Sequence, residues 1–501
     1  MIAVVIAIFV LGYLAIVFEH PLHLDKTVPA LIMGSLVWAT IALVGMEVVG
    51  ADHSSAEAVS AVLENSAIDP QTAIADGNET VSTHDDGHGS DGHGGSGHGD
   101  DEHSAIEPVL LHHIGKVAEI LFFLIGAMTI VELIDLHKGF AVITNRIKTT
   151  KKTTLLALVC VLGFFLSATL DNLACTIVLV SLLRKLVPLK DERLWFISIA
   201  VIAANAGGAW SPIGDVTTTM LWIGKKVSTP GLIEHLIIPS VVCVAIPLLI
   251  CNFLPAFKGH VTALPVDDAA AEAEERLLSS KTMLIVGVGA LVSVPIFKTL
   301  THLPPYVGMM LALGVVWLVS EFIHPEENFD KAVHGHMYSA HKALSRIELS
   351  SILFFLGILV AVAGLESVAV DSLTETGERV GLLRGMAERL DLGVTLFDSP
   401  MANQNLVIVI LGFLSAVIDN VPLVAASMGM YAFGEDNTLW HFVAYCAGTG
   451  GSMLIIGSAA GVAAMGMEKI DFIWYLKNIS WIALLGFLAG AGAFLIQQQI
   501  F

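Results

Sequence analysis

Apolar runs of roughly 17–25 residues, the length that carries a helix across a bilayer, recur along the whole chain between shorter polar stretches. Runs near 1–18, 28–50, 115–136, 194–224 and 231–256 read as the crossings of a first unit. Runs near 281–299, 303–323, 348–367, 438–461 and 472–497 read as those of a second. Two further apolar segments, 153–187 and 402–434, fit single crossings poorly. The first is basic at both ends, with Lys151 and Lys152 before it and Arg184, Lys185, Lys190 and Arg193 after it. Basic residues mark the cytoplasmic side, so a single crossing would leave one cluster outside. Both segments are predicted to be re-entrant hairpins, with "SATLDN" (167–172) and "SAVIDN" (415–420) at their tips. Non-helical backbone at that depth is tolerated only where protein or a water-filled cavity surrounds it.

The two units share an order of motifs. "EILFFLIG" (119–126) corresponds to "SILFFLGI" (351–358), "FLSATLDN" (165–172) to "FLSAVIDN" (413–420), and "NAGGAWSPIGDVTTT" (205–219) to "GTGGSMLIIGSAAGV" (448–462). The offsets of 232, 248 and 243 residues are close enough for one duplication with loop drift. An odd number of crossings in the first unit inverts the second. The predicted fold is an all-α polytopic membrane protein of two inverted repeats, each with about five transmembrane helices, a re-entrant hairpin and a helix broken at mid-membrane. Inverted repeats with binding at the midplane are a known transporter plan. The predicted organisation is first scaffold helices in 1–50, a periplasmic loop in 51–110, and the rest of the first repeat in 111–256. A cytoplasmic linker follows in 257–280, then the second repeat in 281–501. The broken helices fall in 194–224 and 438–461.

Composition agrees with the pattern. Hydrophobic residues make up 55% of the 501 and charged ones 14%, where a soluble protein would carry about 25% charged. The run at 1–18 has no basic residue before it and no small-residue cleavage pattern after it, so it reads as a membrane helix rather than a signal peptide. Much of the net charge of −21 sits in 51–110, which holds thirteen Asp and Glu and no Lys or Arg. That loop is predicted to be disordered and periplasmic. Its His84, His88, His93, His98 and His103 could bind metal weakly; an inert solvated linker is the other reading. Lys138, Arg146, Lys148, Lys151 and Lys152 are predicted to form an amphipathic stretch along the inner surface. The five cysteines lie in apolar segments without a CxxC and read as small core residues. No GxxxxGK[ST] and no HExxH is present, so ATP-driven transport and enzymatic activity are unsupported. No cofactor and no nucleic-acid partner is expected.

The candidate chemistry is carboxylate and amide at membrane depth. Asp171 and Asp419, at the two tips, would each cost about 2.5–3.5 kcal/mol to insert as charges, and such residues are usually functional. A bland alternative is helix capping, which Asn172 and Asn420 could supply without charge. In the first broken helix Gly207, Gly208, Pro212 and Gly214 interrupt the helix, and Asp215, Thr217 and Thr218 follow. Carboxylate, amide, hydroxyl and carbonyl oxygens suit a hard cation. The second broken helix offers Thr449, Ser452 and Ser458 and no carboxylate, so the site is expected to be asymmetric. Glu119, Glu132, Glu366, His112 and His113 are weaker candidates near membrane edges. A buried carboxylate can be neutralised by a proton or by a cation, and competition between them gives exchange.

The order of scaffold helices, basic surface stretch, hairpin and broken helix, followed by an inverted copy, resembles the ion transporter superfamily that includes bacterial dicarboxylate carriers. Those carry Ser-Asn-Thr at the hairpin tips. The Asp-Asn tips here, with "NAGGAWSPIGDVTTT", are instead similar to NhaD-type sodium/proton antiporters. The resemblance implies a homodimer in a bacterial inner membrane, with a moving transport domain that exchanges sodium or lithium ions for protons. It implies that Asp171, Asn172, Asn205, Asp215, Thr217, Thr218, Ser415 and Asn420 serve the ion path, with Asp419, Ser452 and Ser458 following by repeat position. Symport of a small carboxylate is the alternative; a membrane sensor using the His-rich loop is a third.

Overall fold

The computed structural model describes residues 1–17, 22, 24–49, 100–144, 147, 149–261, 279–323, 340–373, 379–393 and 400–500. The first half runs α1 (Ile2–Val17), α2 (Thr27–Val44), α3 (Asp100–Leu136), α4 (Ala141–Thr144), α5 (Lys152–Leu170), α6 (Asn172–Leu186), α7 (Lys190–Gly208), α8 (Val216–Ile223) and α9 (Thr229–Cys251). The second half runs α10 (Ser279–Thr301), α11 (Pro305–Ile323), α12 (Ala340–Leu344), α13 (Leu349–Ser367), strands β1 (Ala369–Asp371) and β2 (Arg379–Gly381), and α14 (Leu382–Gly393). It closes with α15 (Pro400–Ser415), α16 (Asn420–Met430), α17 (Thr438–Gly450), α18 (Ala459–Glu468), α19 (Phe472–Asn478) and α20 (Ser480–Ile500).

Among the described residues, eight helices are long and apolar enough to cross a membrane. Their outer faces stay apolar: Ile285, Val292, Ile296 and Leu300 are exposed along α10, and Met310, Leu311, Val315 and Leu318 along α11. The chain therefore has the make-up of an all-α polytopic membrane protein. Both predicted hairpin segments fold as two helices meeting at the Asp-Asn pair, α5–α6 and α15–α16. With 19 residues, α5 is about 28 Å long, close to but short of the roughly 30 Å hydrocarbon core. Both predicted broken helices are interrupted where glycine concentrates, between α7 and α8 and between α17 and α18.

Three local expectations change. Helix α3 starts at Asp100, inside the region predicted as loop, because Ile106 and Val109 are buried in the cluster around α1, α2 and α13. The acidic average over 51–110 hides that apolar turn. The basic stretch after α3 forms only the four-residue α4 among its described residues. Its end is tied down instead: Lys151 bridges His260 through backbone, and Lys152 Nζ lies 2.8 Å from Glu192 Oε1. The third is unforeseen, the antiparallel pair of β1 and β2 leading into α14, which buries Leu382, Leu383 and Ala387.

Packing crosses between the halves. Helix α6 lies on α18, and α16 lies on α8, so each hairpin's second arm rests on the other half's post-break helix. The equivalent close approaches recur. A Cβ on Gly214 would lie 3.0 Å from the Ser167 carbonyl oxygen, and one on Gly457 would lie 2.7 Å from that of Ser415. Only glycine lets each unwound stretch sit against its hairpin.

Candidate functional site

The site forms where four helix ends meet. Helix α5 stops at Leu170, and Asp171 takes φ 86° and ψ 162°, a conformation L-residues rarely adopt. Its Oδ1 accepts the Ala174 N–H at 2.7 Å and caps α6. Opposite, α7 unwinds after Gly208. Ser211 Oγ donates to the Ala168 carbonyl at 2.6 Å, and Thr219 Oγ1 to the Pro212 carbonyl at 2.9 Å, pinning the unwound stretch. The chain then reaches Asp215 in extended conformation, and its carboxylate caps α8 through the Thr217 N–H at 2.9 Å.

Asp215 is the hub. It is 2% exposed. Its Oδ2 accepts Asn172 Nδ2 at 2.7 Å, and its Oδ1 accepts Thr217 Oγ1 at 2.8 Å. Asn420 Nδ2, from the other half, lies 3.4 Å from both carboxylate oxygens. Asn172 Nδ2 also reaches Asn205 Oδ1 at 3.1 Å. Asn205 in turn donates to Ser452 Oγ at 2.8 Å and Ser458 Oγ at 2.9 Å. Among the described residues no Lys, Arg or His forms an ion pair with Asp215. Every donor to this buried carboxylate is neutral. Hydrogen bonds soften the cost of burying its charge but do not cancel it, so a proton or a cation has a place here.

A family model described as citrate transporter matches residues 13–441. The chain belongs to that family. Sodium/proton antiporter 2 of Arabidopsis thaliana is 44% identical over 389 residues, covering 77% of this chain and 87% of that protein. Sodium/proton antiporter 1 of the same plant is 48% identical over 394 residues, and the match spans 64% of its length. The Na(+)/H(+) antiporter NhaD of Alkalimonas amylolytica is 27% identical over 512 residues, covering 97% of this chain and 88% of that protein. With its apolar helices, this member of a transporter family is a multi-pass membrane protein.

The structure gathers Asn172, Asn205, Asp215, Thr217, Asn420, Ser452 and Ser458 into one network, and sets the other candidates apart. Thr218 Oγ1 donates to the Asp215 backbone carbonyl at 2.9 Å, within its own helix turn. Ser415 Oγ donates to the Ala447 carbonyl at 2.7 Å and fastens α15 to α17. At both tips the aspartates cap, as the bland alternative for them has it, and Asn172 and Asn420, which could have capped without charge, turn their amides toward Asp215. No hydrogen bond joins Asp171 to Asp215. Asp171 lines a cavity of ≈ 110 Å³ together with Glu132, Asp135, Arg346 and Glu348. Asp419 caps α16 through the Val421 N–H at 3.5 Å, and its Oδ2 lies 3.3 Å from Lys26 Nζ. Sequence reasoning passed over Lys26, whose neighbourhood only the folded chain supplies.

Among the peripheral candidates, His113 Nε2 meets Ser367 Oγ at 3.1 Å, a buried link between α3 and α13. His84, His88, His93 and His98 lie outside the described residues; His103 falls within α3, with its side chain outside them. Among the described residues no group of three His, Cys, Asp or Glu could hold a metal ion. The five cysteines are free and buried.

Proposed function

We propose that the chain is a secondary-active antiporter that expels sodium or lithium ions in exchange for protons. The observation that carries this reading is Asp215: a buried carboxylate surrounded by two amides and a hydroxyl, with no cationic side chain in contact. The carboxylate and hydroxyl oxygens match the ligands a hard cation takes, and the amides donate to the carboxylate and orient it. The similarity to proteins named sodium/proton antiporters supports the choice of ions. A proton and a sodium ion compete for the same carboxylate. The empty, charged site resists movement through the membrane because a charge there costs about 2.5–3.5 kcal/mol. Exchange becomes obligatory because only the loaded or protonated site moves.

Both halves build the network: Asn172, Asn205, Asp215 and Thr217 come from the first, and Asn420, Ser452 and Ser458 from the second. The cross-packing of α6 on α18 and α16 on α8 suits two inverted repeats with opposed re-entrant hairpins. Under this reading the hairpins and broken helices form a transport domain that moves, elevator-like, against a scaffold containing α2 and α13. The basic residues flanking 153–187 support a cytoplasmic base for the first hairpin; a bacterial inner membrane and a homodimeric working unit complete the proposal.

The family description raises small-carboxylate symport as the second reading. An anion would need a positive partner, and Asp215 would repel it. The test is sodium-driven proton movement in vesicles containing the protein, alongside citrate uptake. Collapse of a preset proton gradient on adding sodium, without citrate uptake, supports antiport. Sodium-dependent citrate uptake without proton movement would overturn it.

A further inference from the structure

Asp171 and Asp419 hold matching places in the repeat, yet their surroundings differ in a way the exchange chemistry does not require. Asp171 borders a cavity. Asp419 is held: Lys26 Nζ stands 3.3 Å from its Oδ2, with the two side chains 22% and 12% exposed. Lys26 is itself fixed from two sides. It immediately precedes α2, where Asp25 Oδ1 accepts the Thr27 N–H at 2.8 Å and Thr27 Oγ1 donates to the Ser350 carbonyl at 3.0 Å. Its ammonium also sits 4.5 Å from the centre of the Phe354 ring on α13, a favourable cation–π distance. The lysine thus belongs to the corner where α2 meets α13, while the aspartate belongs to the second hairpin tip.

We infer that Lys26 is a positioning residue for the exchange: by pairing with Asp419 it closes the second hairpin tip against α2 and α13, and leaves the first tip as the open side. The inference rests on the antiport reading for its purpose. The residue after Asp419 is Asn420, which supplies an amide to Asp215. Any opening at this tip must release the ammonium from Asp419, and the ligand-bearing Asn420 moves with it. A half-buried ion pair with a fixed lysine biases the two-state equilibrium toward the closed second tip. The same ammonium also occupies Asp419 in place of a transported cation, so an ion meets Asp215 from the Asp171 side in this conformation.

The test uses the full-length protein with its five native cysteines replaced and a single reporter, Leu173→Cys in the cavity or Ile418→Cys beside Asp419. The rate of labelling by a maleimide is followed with Lys26 intact and with Lys26→Gln. We expect the intact protein to label faster at 173. Lys26→Gln should raise the rate at 418 by about fivefold or more and lower it at 173, the signature of a shifted two-state equilibrium. Lys26→Arg, which keeps the charge, should restore the original order. Lys26→Met keeps the side chain's length against Phe354 and serves where Lys26→Gln fails to insert. Unchanged rates at both positions, or a rise at both together, would overturn the inference, the latter because it marks local loosening. Labelling needs no sodium, so the absence of sodium-driven proton movement by the unmodified protein would count against the antiport reading alone.

Discussion

At the first break in the molecule Asp215 caps α8 with a carboxylate; at the second, Ser458 caps α18 with a hydroxyl, accepting the Gly461 N–H at 3.1 Å. The two stretches share their backbone plan. Each unwinds after a pair of glycines and packs a further glycine against the serine carbonyl of its own hairpin. The two halves thus share the geometry that exposes helix ends and differ in the chemistry they place there. One half carries the charge. The other answers with neutral groups: Ser452 and Ser458 orient Asn205, and Asn420 reaches across to Asp215. A second carboxylate at position 458 would add another buried charge to a network that has no cationic side chain to offset it.

That contrast can be broken most severely at the charge itself. Asp215→Asn keeps the shape and an oxygen to cap α8 but removes the negative charge. Exchange should fall to background while the protein still reaches the membrane, read as sodium-driven proton movement normalised to protein level. Ser458→Ala, its counterpart, loses the bond from Asn205 and the cap on the Gly461 N–H, while Asn205 keeps Ser452. The lost Asn205 bond should cost about 1 kcal/mol, a several-fold weakening of apparent sodium affinity. Equal damage from the two substitutions would end the asymmetry.

A smaller effect is expected one shell out. Asn172→Ala removes the donor nearest Asp215 Oδ2 and also the partner of Asn205 Oδ1. Apparent sodium affinity should weaken by about 10–100-fold, as when groups that orient a metal ligand are lost. Asn420→Ala, whose contacts are longer at 3.4 Å, should cost less. A reversed order would place the dominant amide in the second half.

The smallest contrast lies within one helix turn. Thr217→Val deletes the hydroxyl that touches the Asp215 carboxylate and should weaken sodium affinity about tenfold, or about 1.4 kcal/mol. Thr218→Val removes a hydroxyl that bonds its own helix backbone and should leave affinity within about twofold, because such local bonds contribute little. Sequence spacing treated these neighbours as equals; the structure separates them.

Much of the architecture was legible because it rests on periodic, local signals. Apolar runs of spanning length, glycine clusters and a repeated Asp-Asn pair each have a direct physical consequence for a chain in lipid. The break at Asp171, the interruption between α7 and α8, and the seven-residue polar network all involve residues that stood out for that reason. What escaped depended on contacts between distant segments. The turn around Ile106 and Val109 was masked by its acidic neighbours, β1 and β2 are only three residues each, and α14 is amphipathic but too polar to read as a spanning run. Inside "DN" capping fell to the aspartates, and the sequence left it open between the two, since nothing in a dipeptide tells which side chain caps and which points across the fold. Lys26 lies 393 positions from Asp419 in sequence, and no spacing rule links them.

The central claim is that one buried carboxylate is shared by cation and proton. The most direct measurement is proton release from the purified protein in weakly buffered solution when sodium chloride is added, with choline chloride as the control. The unmodified protein should acidify the solution on sodium alone, because sodium displaces a proton from Asp215, and at saturating sodium the release should grow as pH falls and more of the sites start protonated. Asp215→Asn should release none. Release of the same size from Asp215→Asn would contradict the account and place the exchanged proton on another group.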